Sequence, residues 1–233
     1  MPNSSLPTAT PALCPQLQKG SRGLSAAEFL IGAAVVIAHN VYHLVPNEVP
    51  ILFVLGWISI RLRDGGWKAI GLKRPASWMW TVVIALVAAV VRLSVGDLVI
   101  VPLASRIWPN PVGPAIIQES GRSLSAALLS LGVVWTFAAF GEEMGYRGYL
   151  LTRAADLGGR SHVAYLGALV PVSVLFGYGH FYKGYAGVVD SGFAGLVLGG
   201  AYLLSRRNFW VAILAHGFID TIAVVFTYMG WSS

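Results

Sequence analysis

Long apolar runs recur along this chain and leave little room for a soluble fold. A membrane-crossing helix needs about 20 mostly apolar residues, and residues 78–102 exceed that length with only two charges inside them. Of the 233 residues, 56% are hydrophobic and 11% are charged, whereas soluble domains carry about 25% charged residues. The composition therefore indicates a polytopic membrane protein.

Seven apolar segments can be placed in one bundle. The sequence predicts an all-α fold with about seven transmembrane helices at residues 24–45, 49–62, 78–102, 124–157, 162–182, 185–204 and 208–229. Residues 103–123, rich in proline and glycine, are expected to form a loop or a shallow surface segment. Residues 24–233 then form a single transmembrane domain after a disordered cytoplasmic tail at residues 1–23. The only cysteine, Cys14, lies in that tail, so no intrachain disulfide is possible. No apolar run precedes it, so no signal peptide is expected.

The lysines and arginines predict the orientation. The formal net charge is +6, but the basic residues lie in short connections and form no separate basic domain, so nucleic acid is not an expected partner. With a cytoplasmic N-terminus, three basic residues fall outside, namely Arg106, Arg122 and Lys183. Eleven fall inside, namely Lys19, Arg22, Arg61, Arg63, Lys68, Lys73, Arg74, Arg153, Arg160, Arg206 and Arg207. The positive-inside rule thus predicts a cytoplasmic N-terminus, with the bilayer of a bacterial cytoplasmic membrane as the surroundings.

The stretch FGEEMGYRGYL, residues 140–150, places three charges inside the fourth apolar segment. Each costs about 2.5–3.5 kcal/mol on insertion scales, and such residues usually face the bundle interior and mark function. On a helix Glu143 and Arg147 share a face and can form an ion pair. Glu142 is rotated by about 100°, which leaves it free to meet water. The alternative is a buried ion-pair network that only fixes helix packing.

Two histidine clusters follow. LFGYGHFY contains Phe176 and His180, and a lone histidine in such a segment is more often a hydrogen-bonded core residue than a catalyst. ILAHGFID contains His216 and Asp220 on one helical face. That pair suits two metal ligands, two polar groups aimed at one substrate atom, or a hydrogen bond between helices. Other polar residues of the apolar segments are interpreted as structural or interfacial, namely Glu28, His39, Asn40, His43, Arg92, Asp97 and Asp190.

Residue counts predict that the clusters meet. Glu142 and His180 each lie 19 residues from the connection near residue 161, so adjacent antiparallel helices would place them at one level. With His216 about eight residues into its helix, all three clusters are predicted in the cytoplasmic half of the bilayer. Lys183 would then be deep as well, so the segment YKGYAG is expected to break the fifth helix inside the protein.

In this order, E-E-x-x-x-R, F-x-x-x-H and H-x-x-x-D resemble the CPBP family. That family comprises CAAX prenyl endopeptidases and bacteriocin-processing or immunity proteins, often called Abi proteins. The resemblance covers about residues 120–225, the expected catalytic core, and GWKAIGLKRP resembles a stretch that precedes the core in many members. It implies an intramembrane endopeptidase that cleaves a membrane-associated protein or peptide. Its C-terminal four helices would form a conical intramembrane cavity.

The resemblance also implies roles, residue by residue. Glu142 and His180 would activate the hydrolytic water, while His216 and Asp220 would stabilise the oxyanion or complete the polar site. Asp220 stands where the eukaryotic enzymes have asparagine, and its charge makes a metal-ligand role more plausible than a purely donating one.

Glu143 and Arg147 would support this site. A site with Zn²⁺ or another divalent metal and a metal-free glutamate-type site both stay open. The possible ligand set is Glu143, His180, His216 and Asp220.

Two further functions stay open. A non-catalytic immunity or scaffold protein of the same fold could bind a peptide partner, although a degenerate site would not need the full polar set. A small ion-coupled transporter could use the carboxylates as proton relays, although the chain has no internal repeat.

Overall fold

The computed structural model describes residues 22–109 and 123–231. Within these ranges the fold is all-α, without a strand, as predicted. Its seven helices are α1 (Arg22–Asn40), α2 (Glu48–Asp64), α3 (Trp78–Ile107), α4 (Leu124–Asp156), α5 (His162–Tyr178), α6 (Gly184–Leu204) and α7 (Phe209–Met229). The predictions for the tail and for residues 110–122 lie outside the described residues.

Five of these segments are long and apolar enough to cross a membrane: α1, α3, α4, α7, and α6 together with the turn before it. They indicate an integral membrane protein. Helices α2 and α5 have 17 residues each. By length and composition, five segments are therefore candidate spans, and crossing by α2 and α5 stays a prediction. Many large apolar side chains are exposed, among them Leu30, Leu62, Val163 and Leu204, as expected of a surface that faces lipid.

Polar caps set several helix starts, and some ends differ from the predicted ones. Ser77, Ser123 and Ser161 each accept a hydrogen bond from the backbone N–H three residues later, which satisfies a donor that the first turn leaves free. Helix α1 ends at Asn40 instead of residue 45, although apolar residues continue beyond it. Helix α3 runs on to Ile107 through a π-helical turn at Gly96–Ile100.

One end of the bundle collects most of the basic side chains and a buried ion-pair network. Arg153, 0% exposed, donates to Asp64 at 2.6 Å and to Asp156 at 2.9 Å, and Arg63 pairs with Glu28. Burial lowers the pKa of Arg160, but the hydrogen bond to Asp156 and the charge of Asp64 outweigh it and raise that pKa above its usual range. The end of the bundle that holds Arg63, Arg153 and Arg160 is termed the basic end. Its ion pairs tie α1 and α2 to the end of α4.

The middle of α4 is π-helical instead of α-helical, over Val134–Glu142 and Met144–Leu150. A π-helical turn bonds residues five apart, is rare, and is frequent at functional sites. All seven residues of Met144–Leu150 are buried. The widened stretch contains the whole E-E-x-x-x-R motif and carries it into the bundle interior.

Candidate active site

Glu143 is the centre of a buried network. Its side chain is 0% exposed, and its Oε1 lies 2.9 Å from Nη1 of Arg147 and 2.8 Å from Nδ1 of His216. Arg147 also donates to the carbonyl of Gly195 at 3.2 Å, and its guanidinium lies 4.4 Å from the ring centroid of Phe176. The predicted Glu143–Arg147 ion pair is confirmed, and the network joins α4 to α5, α6 and α7.

His216 connects two motifs that are far apart in the sequence. Its Nδ1 faces Glu143, and its Nε2 lies 3.5 Å from Oδ2 of Asp220. Both ring nitrogens therefore face carboxylate oxygens, and a doubly protonated ring would donate toward both. The shared helical face of His216 and Asp220 was predictable, whereas the contact with Glu143, 73 positions away, was not.

The ring of Phe176 brings the second histidine to this network. Its centroid lies 4.9 Å from that of His180, 6.0 Å from that of His216 and 5.0 Å from that of Tyr146. Nδ1 of His180 lies 3.0 Å from the carbonyl oxygen of Phe176. Because a carbonyl only accepts, this contact assigns the proton to Nδ1 and leaves Nε2 of a neutral ring as an acceptor.

Glu142 has different surroundings from its neighbour Glu143. Its Oε2 is buried and has no hydrogen-bond partner among the described residues, while its charge interacts with His216 and Asp220. Among the described residues, Glu142 forms no hydrogen bond or ion pair with His180, so their predicted partnership is not a direct contact in the structure. Catalytic hydrogen bonds often form only once substrate is bound.

The three clusters converge, and their depth in the bilayer stays a prediction. Helix α5 ends at Tyr178, the 3₁₀ turn Phe181–Lys183 follows, and Gly184 has a φ of 73°. The expected break in YKGYAG is therefore confirmed, and His180 lies in the connection that it creates. That connection is at the opposite end of α5 from the basic end, whereas His216 lies seven residues beyond Phe209, the start of α7 at the basic end.

The sequence interpretation missed two residues beside this site. Glu48, the first residue of α2, is 5% exposed, and its Oε2 lies 3.3 Å from Nε2 of His39 at the end of α1. The charges of Glu48 and Glu142 interact. The available signal was an acidic residue, Glu48, at the start of a short apolar helix. His39 was interpreted as structural or interfacial, and its pair with Glu48 was not predicted.

The residues proposed as metal ligands do not form a metal centre as they stand. Oε1 of Glu143 is already paired with Arg147 and His216, and the positive charge of the neighbouring guanidinium repels a divalent cation. Across residues 22–109 and 123–231, no three His, Cys, Asp or Glu side chains are grouped so that they could hold one ion. The arrangement does not fit a bound metal, and metal dependence stays a prediction for experiment.

The fold and this site define a polytopic membrane protein with a buried cluster of carboxylates and imidazoles inside its helix bundle. Residues 124–222, fewer than half of the chain, match the family described as type II CAAX prenyl endopeptidase Rce1-like. Over these residues the chain is therefore a domain of that family of CAAX-like intramembrane endopeptidases. No curated protein and no solved structure matches the chain.

Proposed function

We propose that this protein is an intramembrane endopeptidase that hydrolyses a peptide bond of a membrane-associated protein or peptide. The observation that carries the proposal is the contrast between two adjacent glutamates. Oε1 of Glu143 is held by Arg147 and His216, and its Oε2 is buried without a partner among the described residues. Glu142 also has a buried, unpaired Oε2, but neither of its oxygens forms a hydrogen bond or ion pair within the described residues. A carboxylate that no protein group holds is available to accept a proton from water, as a general base must.

Glu142 would accept a proton from water, whose oxygen attacks the carbonyl carbon of the scissile bond. The carbonyl oxygen becomes an oxyanion, which the Nε2–H of His216 would stabilise. Glu143 would orient the imidazole through Nδ1, and Asp220, 3.5 Å from Nε2, would help to keep the ring charged. The protonated Glu142 then returns its proton to the leaving amine. His180, with an accepting Nε2, would hold the water from its other side. Surrounding apolar side chains exclude bulk water and strengthen each of these contacts.

The test compares membrane peptides from cells that carry the wild-type protein or Glu142→Gln. We expect a set of cleavage products to disappear in the variant at equal protein level. Asp97→Asn is the matched control, because the Asp97 side chain is 66% exposed and Asp97 is not part of the candidate active site. Identical peptide sets in wild type and Glu142→Gln would contradict the enzyme and favour a non-catalytic, peptide-binding protein.

A further inference from the structure

An open cavity lies at the basic end, and no residue of the candidate active site lines it. It has a volume of about 700 Å³ and lies between the end of α2 and the 3₁₀ turn Trp67–Ile70. The side chains of Trp57, Trp67, Arg61 and Lys68 form its walls. Sites that bind small molecules have volumes of roughly 300–1,000 Å³, so this cavity has room for a ligand.

Two glycines at the end of α2 shape the cavity. Gly65 ends the helix with a φ of 75°, and its N–H donates to the carbonyl of Ile60. Gly66 follows with a φ of 129°, a conformation that glycine alone adopts readily. The turn brings the ring of Trp67 back onto that of Phe53, stacked with 6.4 Å between centroids. A methyl group on Gly65 would meet no atom within 4 Å, so the aromatic wall is fixed and the space at the turn is open.

The two cations of the cavity have no counter-charge in the described part of the chain. Nη1 of Arg61 donates to the neutral carbonyl of Gly65 at 3.3 Å, and neither Arg61 nor Lys68 forms an ion pair within the described residues. The carboxylates of the basic end are already paired with other arginines, namely Glu28 with Arg63, Asp64 with Arg153 and Asp156 with Arg160. A guanidinium has five N–H donors, so Arg61 keeps donors for a ligand. Two unpaired positive charges on one cavity favour an anion.

The outer face of α2 beside the cavity is apolar. Trp57, Ile58 and Leu62 are 53%, 52% and 78% exposed, as expected of side chains that contact acyl chains. Tryptophan is enriched where the headgroups of a bilayer meet its hydrocarbon region. A soluble anion would leave the aromatic walls unused, whereas a molecule with an anionic head and apolar chains would contact both parts of the cavity.

We propose that this cavity binds the headgroup of an anionic phospholipid. The phosphate would lie between the guanidinium of Arg61 and the ammonium of Lys68, which donate charge-assisted hydrogen bonds to it, and the acyl chains would pack along Trp57. The positive-inside rule predicts the basic end in the cytoplasmic leaflet, where anionic lipids attract basic residues. The site does not depend on the proposed function, because it uses none of the catalytic candidates.

Native mass spectrometry of the purified full-length protein in detergent tests the lipid preference. Dioleoyl phosphatidylglycerol and dioleoyl phosphatidylcholine have the same acyl chains and differ in net charge. We expect the first phosphatidylglycerol to bind about 25-fold more tightly, since each of the two cations contributes about fivefold. Equal affinity for the two lipids would overturn the proposal.

A soluble competitor separates a lipid from a free phosphate as the ligand. Glycerol 3-phosphate carries the phosphate without acyl chains. At the concentration of the lipid it should displace no phosphatidylglycerol, because it cannot contact the apolar wall. Displacement at that concentration would show that the cavity takes a soluble anion and would overturn the assignment to a lipid.

Two double variants that remove the same charge locate the binding. Arg61→Gln with Lys68→Gln should lower the affinity for phosphatidylglycerol about 25-fold, to the level of phosphatidylcholine. Lys73→Gln with Arg74→Gln is the matched control, because both side chains are exposed and neither lines the cavity. This control should keep most of the preference, and thermal unfolding checks that both variants fold. Equal losses in the two would show a diffuse basic surface instead of a site.

A tryptophan pair tests the apolar wall. Trp57 and Trp231 are 53% and 67% exposed, and each ring meets a phenylalanine edge-on. Trp57→Ala should weaken both lipids about threefold, as the loss of roughly 30 Å² of apolar contact implies, and Trp231→Ala should change neither. Unchanged affinities in Trp57→Ala, or an equal loss in Trp231→Ala, would overturn the placement of the acyl chains.

Discussion

Glu142 and Glu143 are adjacent in the sequence but have different surroundings in the structure. Oε1 of Glu143 is paired with Arg147 and His216, whereas Glu142 forms no hydrogen bond or ion pair within the described residues. Oε2 of each glutamate is buried and unpaired there. Helical spacing alone predicted the Glu143–Arg147 pair, because residues four apart share a face. The contact of Glu143 with His216 was not predictable, because it depends on how α4 and α7 pack.

This contrast predicts opposite effects for the same substitution. Glu143→Gln leaves Arg147, 1% exposed, without its carboxylate partner, and removing one partner of a buried ion pair costs about 3–5 kcal/mol. Glu142→Gln breaks no contact within the described chain and should leave unfolding unchanged while lowering kcat about 10²–10⁴-fold. Thermal unfolding in detergent and a peptide cleavage assay measure the two effects. Equal loss of stability in both variants would show that Glu142 is a packing residue.

The surroundings of Glu143 also predict the response to metal removal. Because Arg147 and His216 already occupy its Oε1, we expect purified protein to keep full cleavage activity after dialysis against EDTA. Elemental analysis of the same sample measures the bound metal, and the known zinc protease thermolysin under identical dialysis is the control. A loss of activity that stoichiometric Zn²⁺ restores would instead support the ligand set Glu143, His180, His216 and Asp220.

At the scale of helices, the hydropathy pattern located all seven helices. It did not give their exact ends or the π-helical geometry within α4. Apolar residues continue past Asn40 and past Tyr178, so the pattern extended α1 and α5 beyond their true ends. The π-helical stretch of α4 is invisible to hydropathy, because the apolar pattern does not fix which carbonyl each N–H selects. That stretch packs against α7, where the ring of Trp135 lies over Gly217.

The α4–α7 contact predicts a sharp difference between two glycines. A methyl group on Gly217 would meet the Trp135 ring, with Cζ2 at 2.7 Å. Gly217→Ala should therefore separate the helices beside His216, cost about 1–3 kcal/mol by overpacking and lower kcat. At Gly167 no atom lies within 4 Å of an added methyl, so Gly167→Ala should be neutral or stabilise α5 by about 0.5–1 kcal/mol. Thermal unfolding and cleavage compare the two, and equal effects would refute the contact.

At the scale of the whole molecule, the two ends of the bundle differ in charge and in chemistry. Most basic side chains gather with the starts of α1, α5 and α7, while His39, Glu48 and His180 lie at the other end. The alternation of seven helices agrees with the predicted split of basic residues. The depth of the site in the bilayer stays a prediction, since His216 lies near the start of α7 and His180 beyond the end of α5. The conical cavity predicted for the C-terminal helices stays a prediction.

Charge asymmetry predicts which end of the bundle faces the cytoplasm. If the positive-inside rule holds, the α1–α2 connection beside Glu48 faces outward and the connection before α3 faces the cytoplasm. In a Cys14→Ser background, Tyr42→Cys should react with a membrane-impermeant maleimide in intact cells, and Arg74→Cys should react only after the membrane is opened. Both positions are exposed, so a difference reports sidedness instead of burial. The reverse labelling pattern would show that the bundle is inverted, with Glu48 and His180 at its cytoplasmic end.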